Sequence, residues 1–226
     1  MQDFGHLLEL LYYSPVRSRS VRARIRERAD LRILASVRGS TAALLPETPQ
    51  RQFMETETLF LRQPPAFKWT SDVRINGEFA GTQSGWTDGG QGWAIAIDGS
   101  FHRGNDEDGP MRYSSGHEHL FEPVGLSAAM RLRAIKEVQW NDRSALAVEA
   151  LPRDDASSHG ISRLLGAGAD RYEVVIDAQR GAVLRCAAYV GSRIAKEIEV
   201  LEVVFDDDLR RQISSGSSSG GKRWAL

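Results

Sequence analysis

The chain has 226 residues, 41% hydrophobic and 26% charged, with a formal net charge of −1. That length suits one large domain or two small ones. The balance excludes a wholly disordered chain and any strong global attraction to nucleic acid or anionic membranes, and a lone cysteine, Cys186, excludes a disulfide framework or a multi-cysteine metal site.

Phe4, Leu7, Leu8 and Leu11 recur at helical spacing and predict a short amphipathic helix that ends at Ser14-Pro15. The stretch from Met1 to Leu11 lacks the basic start, long apolar run and small-residue cleavage site of a signal peptide. No run of about 18 apolar residues occurs anywhere. The expectation is a cytoplasmic protein without a membrane span, unless an export signal has been trimmed. Val21, Ala23 and Ile25 then alternate with Arg22, Arg24, Arg26 and Arg28, the period of a half-buried strand with a polar outer face. Asp30 is placed to cap a brief helix through Val37 that Gly39 closes.

From Gln52 to Arg62 the chain is rich in Thr, Phe and Leu, and Pro64-Pro65 stops that strand. Phe67, Trp69, Val73 and Ile75 mark the next, and Asn76-Gly77 is the strongest hairpin signal in the chain. A strand from Glu78 to Trp86, a turn at Asp88-Gly89-Gly90 and a strand through Trp93, Ile95 and Ile97 follow. Asp98-Gly99 turns the chain again. Gly104 to Gly116 and Pro152 to Gly168 read as polar loops. Between them lie a short helix from Glu122-Pro123 to Met130, a strand from Leu132 to Trp140, a turn at Asn141-Asp142 and a strand from Ser144 to Leu151. Three strands close the pattern: Arg171–Ala178, Ala182–Val190 and Ile194–Phe205. Residues 214–226, rich in Ser and Gly, read as a flexible tail behind a single domain over residues 1–213. About ten strands imply one large curved antiparallel sheet or incomplete β-barrel, with two or three short helices on its concave side.

Four segments carry a family resemblance. They are Pro64-Pro65-Ala66-Phe67-Lys68-Trp69, then Thr87-Asp88-Gly89-Gly90-Gln91-Gly92-Trp93, then Tyr172 to Asp177 with Arg180 to Arg185, and last Glu199 to Leu209. Each resembles a short strand or hairpin motif of the LolA-type lipoprotein-carrier superfamily, across roughly Arg17 to Leu209. The resemblance implies a curved, incomplete antiparallel barrel with helices plugging the concave side, and acyl chains or other apolar groups bound between the two. Members include periplasmic carriers, stress-sensing regulators and a cofactor-free enzyme of a pigment pathway. This chain, with no leader and no lipid-modified cysteine, is identified as a cytoplasmic, signal-less member.

The aromatic residues on strands, Phe67, Trp69, Trp93, Phe101, Trp140 and Tyr172, are either core or the wall of an apolar pocket. Phe67 and Trp69 share a face with Val73 and Ile75, Trp93 shares one with Ile95 and Ile97, and both faces are expected on the concave side. A cavity beside Trp69 or Trp93 follows from that placement. His117 and His119 stand two apart, so on a strand both imidazoles would face one ion. A third ligand would come from His102, His159 or Asp106-Glu107-Asp108, and an exposed loop pair is the plainer reading. The run of arginines from Arg17 to Arg32 lacks interleaved aromatics for nucleic acid, and Glu55 and Glu57 are placed to pair with it across the sheet. Cys186 alternates with apolar neighbours as a buried thiol. Gly166-Ala167-Gly168 precedes a strand and has Arg171 where a dinucleotide motif needs glycine. No cofactor is implied. Three functions remain open: a binding protein for an apolar small molecule, acyl chain or partner segment; a regulatory protein-interaction module; and a cofactor-free enzyme.

Overall fold

Two antiparallel meanders meet at the centre of one open sheet. The computed structural model describes residues 4–37, 52–88, 91–105, 116–153, 164 and 168–214. The strands are β1 (Val21–Asp30), β2 (Phe53–Gln63), β3 (Ala66–Ile75), β4 (Glu78–Thr87), β5 (Gln91–Ile95), β6 (Phe101–Asn105), β7 (Met130–Trp140), β8 (Arg143–Pro152), β9 (Arg171–Asp177), β10 (Val183–Val190) and β11 (Arg193–Phe205). Their order across the sheet is β6-β5-β4-β3-β2-β1-β11-β10-β9-β8-β7. The first meander runs outward from β1 to β6, and the chain then crosses to the far edge at β7. From there it returns strand by strand until β11 pairs with β1. Strand β6 bears out the placing of Phe101 on a strand and runs on to Asn105, past the Gly104 where the sequence pattern puts the start of a loop.

The sheet is curved and does not close. Register shifts at Arg24/Ile25, Val73/Arg74, Leu132/Ala134, Val183/Arg185 and Ala188/Tyr189 put extra residues on one strand of a pair. Such bulges bend the bulged strand and raise its local twist. The hairpins use the residues that left-handed turns demand. Asn76 and Gly77 have φ of 54° and 86°, and Asn141 and Asp142 have 46° and 62°.

The concave face carries the main core. Helix α1 (Phe4–Tyr13) turns Leu7, Leu10 and Leu11 onto it. Two further short helices, α3 (Glu118–Phe121) and α4 (Leu126–Ala129), lie in the β6-to-β7 crossover and add Leu120, Phe121 and Leu126. Pro123–Gly125 forms a single 3-10 turn between them, so the predicted helix from Glu122 to Met130 is broken in two. On the outer face, α5 (Arg210–Ser214) sets Ile213, with the adjacent Leu209, on Leu61 and Trp86. Helix α2 (Leu31–Ser36) covers one end of the sheet, with Asp30 accepting from the backbone N–H groups of Arg32 at 3.0 Å and Ile33 at 3.3 Å. That cap is the one the sequence indicates; Gly39, the long loop interiors and residues 215–226 lie outside the described residues. Among the described residues, no helix is long and apolar enough to cross a membrane.

The arginine stripe of β1 faces outward and is neutralised by both neighbours. Arg24 reaches Glu57 on β2 and Glu202 on β11, Arg26 reaches Glu199, and Arg28 Nε meets Glu55 at 2.7 Å. Arg22 lies 3.7 Å from Asp207. A paired stripe of this kind offers little free positive charge for phosphate neutralisation.

Candidate functional site

The concave face holds a buried charged cluster under α3. Along β1, Ile25, Glu27 and Ala29 point inward, because the same alternation that turns the arginines out turns them in. Lys196 Nζ meets Glu27 Oε1 at 2.9 Å, and His117 Nε2 lies 3.7 Å from Glu27 Oε2. Burial disfavours the Glu27 carboxylate, but Lys196 and then His117 outweigh it and hold its pKa down to about 2. Cys186 lies deep in the same core, and burial pushes its thiol up to about 12. It is therefore a protonated, inert thiol at neutral pH. Burial, reinforced by Cys186, likewise pushes the Tyr172 hydroxyl up to about 12.

Helix α3 is fastened at both ends. His117 precedes it and meets Glu27, while Glu122 follows it and pairs with the buried Arg62 of β2. Ser14 Oγ donates to the Phe121 carbonyl at 2.8 Å and so ties the end of α1 to it. Phe121 stacks on Phe60 at 5.7 Å between ring centroids, and Phe60 is the cross-strand neighbour of Trp69. The wall where a cavity was expected is thus occupied by Phe60, Phe121 and His117.

Of the six aromatic residues singled out from the sequence, Phe67, Trp69 and Tyr172 line this inner face. The other three do not join them. Trp69 pairs with Gly85 and, through it, Ala94, whereas Trp86 pairs with Trp93. Trp93 therefore stands on the outer face, one residue out of phase with Trp69. Phe101 stacks on Trp93 at 6.5 Å and is 60% exposed. Trp140 is also on the outer face, with Val138 and Leu184, beneath the Arg185 guanidinium.

The histidine pair separates as well. His117 caps the start of α3 and His119 lies within it, rather than the two sharing a strand, so their side chains diverge. His117 is buried, which corrects the reading of an exposed loop pair. His102 sits exposed on β6, and His159 and Asp106 to Asp108 fall outside the described residues. Among the described residues, no three His, Cys, Asp or Glu side chains converge to hold a metal.

Among the described residues, two solvent-facing sites stand out. The first is the β6 edge, which carries the Trp93–Phe101 stack and beyond which no described strand pairs with Phe101–Asn105. The opposite edge, β7, carries Arg131, Arg133, Lys136 and Glu137 and a bulge, the features that discourage strand addition. The second is a cavity of about 400 Å³ on the outer face at the ends of β1, β2, β3 and β11. Further hollows lie along β7–β9 and at the Asn141-Asp142 turn. None of these four is lined by Trp69 or Trp93.

No protein-family profile matches the chain, and no curated protein does. Solved structures do. MucB is 12% identical with a TM-score of 0.52 over 96% of this chain, which spans 62% of MucB's length. MucB has also been solved in complex with MucA(peri). An uncharacterised conserved protein from Thermus thermophilus is 11% identical, with a TM-score of 0.49 over 94% of this chain and 93% of its own. A domain described as outer-membrane lipoprotein-sorting, from Vibrio parahaemolyticus, is 12% identical with a TM-score of 0.35 over 92% and 96%. The likeness is one of fold. It does not sustain the identification as a cytoplasmic, signal-less member, since the structures sharing the fold include MucB, also solved with MucA(peri), and a domain described as lipoprotein-sorting. The cytoplasmic expectation rested on the N-terminal residues and on the lack of a long apolar run and a lipid-modified cysteine, none of which decides a compartment.

Proposed function

We propose that this protein is a protein-interaction scaffold that holds an apolar, extended segment of a protein partner against the β6 edge of its half-barrel. The observation that carries this reading is Phe101, 60% exposed on an edge strand and stacked on Trp93. An edge strand offers main-chain donors and acceptors to an added strand, and side-chain contacts beside it supply specificity. MucB, which has the same fold, is a protein solved with a protein partner. A periplasmic or lipoprotein-associated setting is part of the proposal. The reading as a carrier with an acyl chain in a concave cavity has less support, because the inner wall is filled by Phe60, Phe121 and the fastened α3.

The test compares the tagged wild-type chain with Phe101→Arg, purified side by side from the native host with bound proteins identified by mass spectrometry. Phe101 is a surface residue, so the variant should melt within a few degrees of wild type. A protein that accompanies wild type and is lost from Phe101→Arg supports the reading. A partner retained by Phe101→Arg overturns it.

A further inference from the structure

The outer cavity at the strand ends is built differently from the β6 edge. Its floor is a cross-strand row of alternating charge, Glu197 on β11, Arg28 on β1, Glu55 on β2 and Arg74 on β3. Each carboxylate lining it is already matched. Glu55 takes Arg28 at 2.7 Å, Glu197 takes Arg185 at 2.7 Å, and the capping Asp30 takes Arg193 at 3.1 Å and Arg32 at 3.4 Å. Arg74 is half-buried and makes no ion pair among the described residues. Two arginines line the cavity, Arg28 and Arg74; Arg28 is held by Glu55, and Arg74 is the one left to meet a ligand.

The rest of the lining is apolar. Phe53 is 50% exposed and Ile194 43% exposed, and Met54 also contributes to the lining. The Arg32 guanidinium lies 5.2 Å from the Phe53 ring centroid and steadies that ring. The volume, about 400 Å³, falls at the small end of ligand pockets.

We propose that this cavity binds a small monocarboxylate bearing an apolar group, its carboxylate on Arg74 and its apolar part on Phe53, Met54 and Ile194. A guanidinium meets a carboxylate through two parallel N–H···O bonds, a geometry lysine does not reproduce. Glu55, opposite Arg74 across the β2–β3 ladder, pairs with Arg28 on its other side. This site is on the outer face and does not depend on partner docking at β6.

Calorimetric titration of the full chain with octanoate tests it, with acetate and octanol as probes lacking the tail and the charge. Octanoate should bind saturably, and both controls at least about tenfold more weakly. Arg74→Gln should weaken octanoate by at least about tenfold, Arg74→Lys by less, and Phe101→Arg should leave it unchanged. Absence of saturable binding, octanol equal to octanoate, or unchanged binding in both Arg74 variants would overturn the proposal. The last result would place the molecule elsewhere on the protein.

Discussion

Glu27 shows how one residue couples burial, charge and stability. Its carboxyl has a pKa held down to about 2 in the folded protein, against 4.5 for the ordinary group. A depressed folded value means the contribution is fully present above about pH 5 and is lost as the pH falls from 4.5 toward 2. The shift corresponds to about 3 kcal/mol. Urea unfolding at several pH values should show wild type losing about that much more than Glu27→Gln across this window. Equal acid slopes for the two would mean Glu27 is not held as a carboxylate. Cys186 gives a second expectation at the same scale. As a buried thiol pushed up to about 12, it should resist iodoacetamide in the native protein at pH 8 and react fully in denaturant. Native alkylation at the rate of a free thiol would contradict its placement in the core.

At the scale of elements, α1 and the turn between β9 and β10 depend on one glycine. Gly181 has φ of 74°, and a β-carbon there would come within 2.3 Å of the Leu10 carbonyl oxygen. Because the obstacle is backbone, Gly181→Ala must displace α1. It should lower the melting temperature well beyond the few tenths of a kcal/mol typical of a surface change, and a neutral result would place α1 elsewhere. Trp69→Ala should cost the full 3–5 kcal/mol or so of a packed aromatic, since Phe60 and the buried core surround it. A clearly smaller loss in denaturant unfolding would mean that a cavity adjoins the ring. The elements themselves were largely legible. Period-two alternation marks β1 and β3, and Asn76-Gly77 marks the hairpin from β3 to β4. The face of Trp93 was not legible, because alternation tells which residues of a strand agree, not which side of the sheet they take. That choice is set by the register of β4 on β5, where Trp86 rather than Gly85 opposes Trp93. The same limit applied to His117 and His119, whose spacing means one face on a strand and two directions at the start of α3.

The whole molecule follows from two meanders that meet at β1 and β11, which leaves β6 and β7 as unclosed edges. Most of the strands and the inner-face helix α1 could be read from residue patterns, as could the pairing of Glu55 and Glu57 with the arginine stripe. The fastening of α3 by Glu27 and Arg62 could not, because it joins residues about 90 and 60 positions apart. Arg74 escaped notice for a related reason: one arginine among 25 carries no signal until the partners of its neighbours are known. The edges differ in chemistry, one aromatic and one guarded by charge, and the central claim is that this difference selects where a partner docks. The most direct measurement is site-specific photo-crosslinking in the native host, with the reactive group placed at Phe101 of β6 and, in a parallel variant, at Arg133 of β7. The account predicts a discrete protein adduct from position 101 and none from position 133. Adducts from 133 alone, the same adducts from both edges, or none from 101 would contradict it.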